Sequence, residues 1–180
     1  MRHILTTAIV ALGIPAGALA QTPAAPSPAQ VDQVLSFNPF GLIIKWPNME
    51  FERKAGPGLT IGGSASYSAE LDQANAALLL RWYPQQQALE GFYVGTRAGG
   101  YRLRTMAYDY QPGRYPTYRE RHEVLPGVGV EAGYNWLLGP RHNVNVGLGF
   151  GLTRIIGGGH SYSEPSVLPA VRLVNIGIAF

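Results

Sequence analysis

Residues 143–153 of the chain read NVNVGLGFGLT, and this stretch decides the fold. Apolar residues occupy every second position, and the positions between them are small or polar. The apolar positions are Val144, Val146, Leu148, Phe150 and Leu152. A period of two is the period of a β-strand, and glycines are unfavourable inside a helix. The stretch therefore predicts a strand with one broad apolar face and one narrow polar face.

The same alternation recurs in seven other runs along the chain. Together the eight runs are Val34–Ile44, Asn48–Lys54, Leu59–Tyr67, Asn75–Tyr83, Gly91–Arg104, Glu123–Leu138, Asn143–Ile155 and Val167–Phe180. The breaks between them carry Gly, Pro, Asn and Asp, which favour turns. None of the runs has helical spacing. The chain is therefore expected to be all-β, an eight-stranded antiparallel up-and-down β-barrel.

The apolar face is expected to point outward, which would make the barrel a transmembrane one. Only 14% of the residues are charged, against roughly 25% in ordinary soluble domains. Runs of about ten residues that alternate apolar with small or polar side chains are typical of membrane barrels. The alternative is a soluble secreted or periplasmic barrel with its apolar face inward. Its surface would then consist mainly of Gly, Ser, Asn and Ala, where soluble proteins carry Lys and Glu.

Three segments are expected along the chain. Residues 1–20 predict a cleaved signal peptide, with a basic start, an apolar stretch and Ala18-Leu19-Ala20 before the cleavage point. Residues 21–33, rich in Pro, Ala and Gln, predict a flexible periplasmic lead-in. Residues 34–180 predict a barrel in a Gram-negative outer membrane. An even number of strands would place both termini in the periplasm and the longest break, residues 105–122, outside the cell.

Aromatic side chains are expected to mark the two edges of the membrane. Trp46 and Tyr67 would lie at the outer edge. The residues expected at the periplasmic edge are Trp82, Phe92, Trp136 and Phe180.

The composition excludes several classes of function. A formal net charge of +3 is too small to indicate nucleic-acid binding. The chain has no Cys, so disulfides and thiolate metal sites are excluded. Its four His have no metal-ligand spacing, and no phosphate-binding glycine motif is present. Neither a metal nor a cofactor is expected.

Several short motifs resemble an outer-membrane barrel family classed as a domain of unknown function, family 3575. They are Asn38-Pro39-Phe40-Gly41-Leu42, Met49-Glu50-Phe51-Glu52-Arg53, Leu80-Arg81-Trp82-Tyr83, Gly91-Phe92-Tyr93-Val94-Gly95 and Gly133-Tyr134-Asn135-Trp136-Leu137. The ending Val174-x-Ile176-x-Ile178-x-Phe180 resembles the signal by which such proteins reach the barrel-assembly machinery. The resemblance covers roughly residues 34–180. It implies the eight-stranded architecture of the OmpA and OmpX type, and it implies no activity.

Four charged residues fall on the polar face of the predicted strands. They are Glu52, Arg81, Arg97 and Glu131. An unpaired charge away from bulk water is costly, so the two acids and two bases are expected to pair inside the barrel. The interior of an eight-stranded barrel is filled by side chains, which predicts a plugged lumen and not a pore. The alternative is that some of these charges lie in lumenal water without partners.

Four arginines are expected at the outer end of the apolar face. They are Arg102, Arg104, Arg154 and Arg172. Arginine is tolerated at the membrane interface, and guanidinium groups bind phosphate through paired hydrogen bonds. This pattern predicts a basic belt that contacts lipopolysaccharide. The alternative is that rim arginines reach towards water, and Pro169 would move Arg172 to the other face if it marked a bulge.

The expected function is that of a non-enzymatic envelope component that makes surface interactions through the 105–122 loop. Tyrosine and arginine are favoured at recognition surfaces, and this loop is rich in both. The residues in question are Tyr108, Tyr110, Arg114, Tyr115, Tyr118, Arg119 and Arg121. The alternative is a solvated loop without a partner.

An enzymatic alternative rests on a second polar loop. Some small outer-membrane barrels modify lipid A as hydrolases or acyltransferases, using Ser and His near the outer rim. Here the candidates would be His160, Ser163 and Glu164. The spacing does not match the deacylase pattern of a His and a Ser two residues apart on a strand, so a plain polar loop is the preferred interpretation.

Overall fold

The computed structural model describes residues 31–109, 117–157 and 167–180. These residues form a closed barrel of eight antiparallel strands that neighbour one another in chain order. The elements are β1 Gln33–Phe37, α1 Pro39–Ile43, β2 Asn48–Gly56, β3 Leu59–Ser68, β4 Gln73–Trp82, β5 Gly91–Asp109, β6 Thr117–Leu138, β7 Val144–Ile155 and β8 Val167–Ala179. The predicted all-β, eight-stranded antiparallel barrel is confirmed.

The barrel is apolar outside and polar inside. Val130 is 63% exposed on the outer wall, whereas the side chain of the next residue, Glu131, is 8% exposed inside. Among the outward apolar side chains are Leu35, Phe51, Ile61, Leu78, Leu80, Val128, Leu148, Phe150, Leu152, Ile176 and Ile178. Alternation along each strand separates the two sets of side chains. No helix in the described part of the chain is long and apolar enough to cross a membrane.

The two ends of the barrel differ. The termini end, where β1 begins and β8 ends, is closed by the connection between β4 and β5. Leu89 of that connection is fully buried and clusters with Val31, Val34 and Ala179. The barrel also begins before residue 34, because the backbone N–H of Gln33 donates to the carbonyl of Phe180. The opposite end, where β5 and β6 extend, is called the loop end below.

The first predicted strand, Val34–Ile44, is wrong in its second half. β1 ends at Phe37, and the short helix α1 follows. The side chain of Asn38 accepts hydrogen bonds from the backbone N–H groups of Phe40 and Gly41, and Pro39 occupies the first helical position. Asn as an N-cap followed by Pro is a standard helix start. The apolar alternation had concealed this signal.

Strands β5 and β6 are longer than predicted and absorb most of the 105–122 segment. Their pairing continues from Leu103 opposite Glu123 to Asp109 opposite Thr117. β4 pairs with β5 only as far as Arg102, so the hairpin extends beyond its neighbour on that side. Residues 110–116, at the centre of the predicted loop, lie outside the described residues. Polar and tyrosine-rich strands are hard to recognise because they lack apolar alternation.

Next to α1 the barrel wall lacks part of its strand pairing. β1 pairs with β8 only from Val34 opposite Ala179 to Phe37 opposite Ile176. Within the described residues, the rest of β8 towards the loop end has no strand partner on this side, and α1 packs beside it. On its other side β8 contains a bulge, since Asn175 lies opposite Gly147 whereas Arg172 lies opposite Gly149.

Candidate functional site in the barrel lumen

The structure brings the four predicted lumen charges together around Arg81. Its Nη1 lies 2.6 Å from Oε2 of Glu52, and its Nε lies 2.6 Å from Oε1 of Glu131. Arg97 is held less tightly, with its Nη1 3.9 Å from Oε2 of Glu131. The Arg97 Nη2 also donates to the hydroxyl of Ser64 at 3.1 Å. Arg81 is therefore the centre of the group, and Arg97 lies at its edge.

Two further charges complete the group, and neither was predicted to belong to it. Oε1 of Glu50 lies 2.7 Å from Arg81 Nη1 and 3.2 Å from Arg172 Nη2. Glu50 could have been found from the sequence, because it lies two residues from Glu52 in β2 and therefore faces the same side of the strand. We call Glu50, Glu52, Arg81, Arg97, Glu131 and Arg172 the lumen cluster. Its three carboxylates and three guanidinium groups cancel in formal charge.

The prediction that Arg172 contacts lipopolysaccharide on the outer face is wrong. Its side chain is 9% exposed and points into the lumen. The cause is the bulge in β8, where Leu173 and Val174 together oppose one residue of β7. An extra residue shifts the in–out alternation of a strand by one position. Phe180 and the even-numbered residues just before it face outward, but Arg172 lies beyond the bulge and therefore faces inward. The bulge lies at residues 173–174 and not at Pro169.

Neutral side chains hold the lumen cluster from the termini end. Thr60 and Tyr83 both donate hydrogen bonds to Oε1 of Glu52, at 2.6 and 2.7 Å. Asn135 donates to the Tyr83 hydroxyl at 2.8 Å. The guanidinium carbon of Arg81 lies 4.5 Å from the centre of the Tyr93 ring. Buried carboxylates and guanidinium groups are tolerated when they are paired and hydrogen-bonded in this way.

A cavity of about 310 Å³ occupies the loop-end half of the lumen. The lumen cluster forms its floor, through Glu50, Arg81, Arg97, Glu131 and Arg172. Its walls include Trp46, Tyr101, Leu103 and Leu168. Trp46 donates through its indole Nε1 to the hydroxyl of the inward residue Ser66 at 3.3 Å. The prediction that Trp46 belongs to an outer aromatic girdle is therefore wrong, because the ring lines the mouth of the lumen.

Some donors at the cavity floor have no acceptor among the described residues. Nε of Arg97 makes no hydrogen bond, and neither Nε nor Nη2 of Arg172 makes one, although that Nη2 lies close to Glu50. The Arg97 side chain is 12% exposed and that of Arg172 is 9% exposed. These nitrogens are fully buried, so an atom in the cavity does not reach them in this arrangement. The Nη1 of Arg172 donates to the amide oxygen of Asn135 at 3.0 Å and to the hydroxyl of Tyr93 at 3.2 Å.

The other three arginines of the predicted belt remain on the outer wall. Arg102 lies 3.6 Å from Asp72, and Arg104 lies 3.6 Å from Glu120. Arg154 is exposed on β7. Three of the four arginines of the predicted belt therefore lie on the outer wall, and two of them, Arg102 and Arg104, already have an acidic neighbour.

The remaining candidates cannot be placed. His160, Ser163 and Glu164 lie outside the described residues, as do Tyr110, Arg114 and Tyr115. The predicted signal peptide and most of the lead-in also lie outside them. Within residues 31–109, 117–157 and 167–180, no group of three or more His, Asp or Glu side chains could hold a metal ion.

Comparison with known proteins gives a family and no activity. A search of curated proteins finds none that matches this chain. Residues 18–164 match a family described as "Protein of unknown function (DUF3575)". The match spans most of the chain, and the closed eight-stranded barrel agrees with the architecture that the family resemblance implies. The chain belongs to the DUF3575 family.

Proposed function

We propose that the protein is an outer-membrane β-barrel with a closed lumen and acts as a non-enzymatic component of the cell envelope. The observation that carries this proposal is that the barrel is apolar outside and charged inside, the reverse of a soluble protein. Large apolar side chains cover the outer wall, while three carboxylates and three guanidinium groups lie inside. In water such a surface would be an aggregation hazard, whereas in a bilayer it is the surface that a spanning barrel requires.

The filled lumen supports a structural or binding role and not a channel. The lumen cluster crosses the barrel near its middle, and Leu89 with its neighbours fills the termini end. The cavity of the loop-end half therefore ends on a charged floor. An ion passing through would have to displace Arg81 from three carboxylates. We expect no large, stable conductance from the pure protein in planar bilayers.

The β5–β6 hairpin is the proposed surface for interaction with a partner. It projects beyond β4 at the loop end, and its described part ends at Asp109 and Thr117. With both termini in the periplasm, this hairpin would stand outside the cell. The exposed Arg102, Arg104 and Arg154 lie on the same part of the wall and would face lipopolysaccharide phosphates.

Location and orientation are tested together by epitope insertion. One variant carries a short epitope tag after residue 112, in the β5–β6 connection, and a matched variant carries it after Gln86, in the β4–β5 connection. Both are expressed in a Gram-negative host and fractionated. We expect both in the outer-membrane fraction, and antibody should label intact cells only when the tag follows residue 112. Recovery in the soluble periplasmic fraction would instead support the soluble barrel and contradict the proposal.

A further inference from the structure

The lumen cavity reaches the gap in strand pairing between β1 and β8. Beyond Phe37 the wall is formed by α1 on one side and by the unpaired edge of β8 on the other. An open strand edge is unfavourable in hydrocarbon, so barrels normally close this seam along its whole length. A short helix stands here in place of strand pairing, so no backbone hydrogen bonds between β1 and β8 hold this part of the seam.

The lumen cavity borders this seam from the inside. On one side it is lined by consecutive residues of β8, from Leu168 to Leu173. Phe40 of α1 lies on the other side of this space.

The cavity is amphipathic along its length. At its inner end lie two positively charged side chains, Arg97 and Arg172, which line the cavity. Towards the α1–β8 seam its lining is mostly apolar and includes Phe40, Ile44, Leu168, Val171 and Leu173. A cavity of about 310 Å³ is large enough for a small ligand. Arginine binds carboxylates and phosphates through charge-assisted hydrogen bonds.

We propose that this cavity binds a single-chain amphiphile with an anionic head group. The head group accepts hydrogen bonds from Arg97 and Arg172, and the hydrocarbon chain leaves the lumen between α1 and β8. This inference rests on the proposed membrane location, since the chain would then extend into the surrounding lipid. Arg97 is the main anchor, because its nearest carboxylate is 3.9 Å away, whereas Arg81 is fully engaged by Glu50, Glu52 and Glu131.

Trp46 provides a direct reporter of binding, because it lines the cavity. The other two Trp residues, Trp82 and Trp136, are exposed on the outer wall at the termini end. A Trp82→Phe/Trp136→Phe variant of the full barrel in detergent micelles is titrated with ω-bromododecanoic acid, whose bromine quenches indole fluorescence. The matched probes are ω-bromododecyl phosphate and ω-bromododecanol. We expect saturable quenching by the acid, the phosphate or both, and only gradual, unsaturated quenching by the alcohol.

Variants then test the two ends of the site. In the same background, Arg97→Gln should weaken binding of the charged probe about tenfold, the effect of losing a hydrogen bond to a charged group. Ala170→Phe should abolish saturation by filling the cavity, and Arg53→Gln on the outer wall of β2 should change nothing. Heat-modifiable migration in gels shows that each variant is folded. Equal quenching by acid, phosphate and alcohol, or an unchanged affinity in folded Arg97→Gln and Ala170→Phe variants, would overturn the proposal.

The assay also separates this inference from the proposed function. Saturable quenching in micelles by a protein that fractionates as soluble would support the cavity site and contradict the membrane location. A protein that reaches the outer membrane but shows no saturable quenching would contradict the cavity site alone.

Discussion

Arg172 of β8 reaches across the lumen and places its Nη2 3.2 Å from Oε1 of Glu50 in β2. These two strands are not neighbours, because β1 lies between them. The same carboxylate oxygen accepts a hydrogen bond from Arg81 of β4 at 2.7 Å. One carboxylate therefore links three strands through the interior of the barrel, in addition to the hydrogen bonds of the wall.

Replacing Arg81 should destabilise the barrel strongly. Arg81→Met leaves Glu50, Glu52 and Glu131 buried without their common partner, and breaking a buried ion pair costs about 3–5 kcal/mol. The measurement is the midpoint of urea unfolding in detergent or lipid vesicles. Arg53→Met, on the exposed outer face, is the matched control and should cost far less. Equal losses in the two variants would show that the lumen cluster contributes little to stability.

Glu50 and Arg172 should be energetically coupled. Residues in one ion-pair network show coupling energies of about 0.5–3 kcal/mol in a double-mutant cycle. We therefore expect Glu50→Gln and Arg172→Gln together to cost less than the sum of the two single changes. If the unfolding free energies were simply additive, the 3.2 Å contact would be energetically unimportant.

Alternation in the sequence was sufficient to place most of the lumen cluster. Arg81, Arg97 and Glu131 lie in regular strands, where counting residues shows whether a side chain faces the lumen or the outside. Arg172 could not be placed in this way, because one additional residue at the β8 bulge reverses the count. Bulges depend on pairing with the adjacent strand, which is not visible in the sequence of one strand.

The other differences have local causes. The helix start at Asn38 and Pro39 carries a recognisable capping signal, but the apolar residues that follow also fit a strand. The extension of β5 and β6 is formed by backbone pairing of the two strands with each other, as at Tyr108 opposite Tyr118. Such pairing depends on both strands being present, so neither strand alone indicates it.

The cost in unfolding free energy of an arginine at two depths on the outer wall should show whether that wall lies in hydrocarbon. Val130 and Val124 are both exposed on the same face of β6, and Val124 lies nearer the loop end. In a bilayer, Val130→Arg should cost about 2–4 kcal/mol and Val124→Arg about 0–1 kcal/mol. Unfolding in lipid vesicles measures both. Small and equal costs would mean that this wall does not lie in hydrocarbon.

Asp72 should stabilise the base of the projecting hairpin. Its carboxylate forms an ion pair with Arg102 of β5 and contacts Nε2 of His122 in β6, and all three side chains are about a third exposed or more. Exposed pairs are worth about 1 kcal/mol or less, so Asp72→Asn should leave global stability almost unchanged. Amide hydrogen exchange in residues 103–109 and 117–122 should nevertheless become faster. Glu70→Gln, which removes only the surface pair with Lys45, is the control and should not alter exchange there.

Deleting Val174 should leave the lumen cluster intact. Leu173 and Val174 together oppose one residue of β7, so removing one of them makes the pairing one to one. Arg172 and Asn175 would both remain inward, and Glu50 would keep its second arginine. Deleting Val146, in the regular part of β7 opposite Ile176, should instead turn Asn145 towards the outer wall.

The two deletions remove the same residue type from adjacent strands and therefore form a matched pair. We expect the Val174 deletion to keep heat-modifiable migration and nearly the wild-type unfolding midpoint. The Val146 deletion should lose more than about 1 kcal/mol, because a buried amide is moved into apolar surroundings. Greater damage from the Val174 deletion would mean that the bulge itself shapes the wall beside α1. In that case the bulge would be required for closure of the barrel and not only for the position of Arg172.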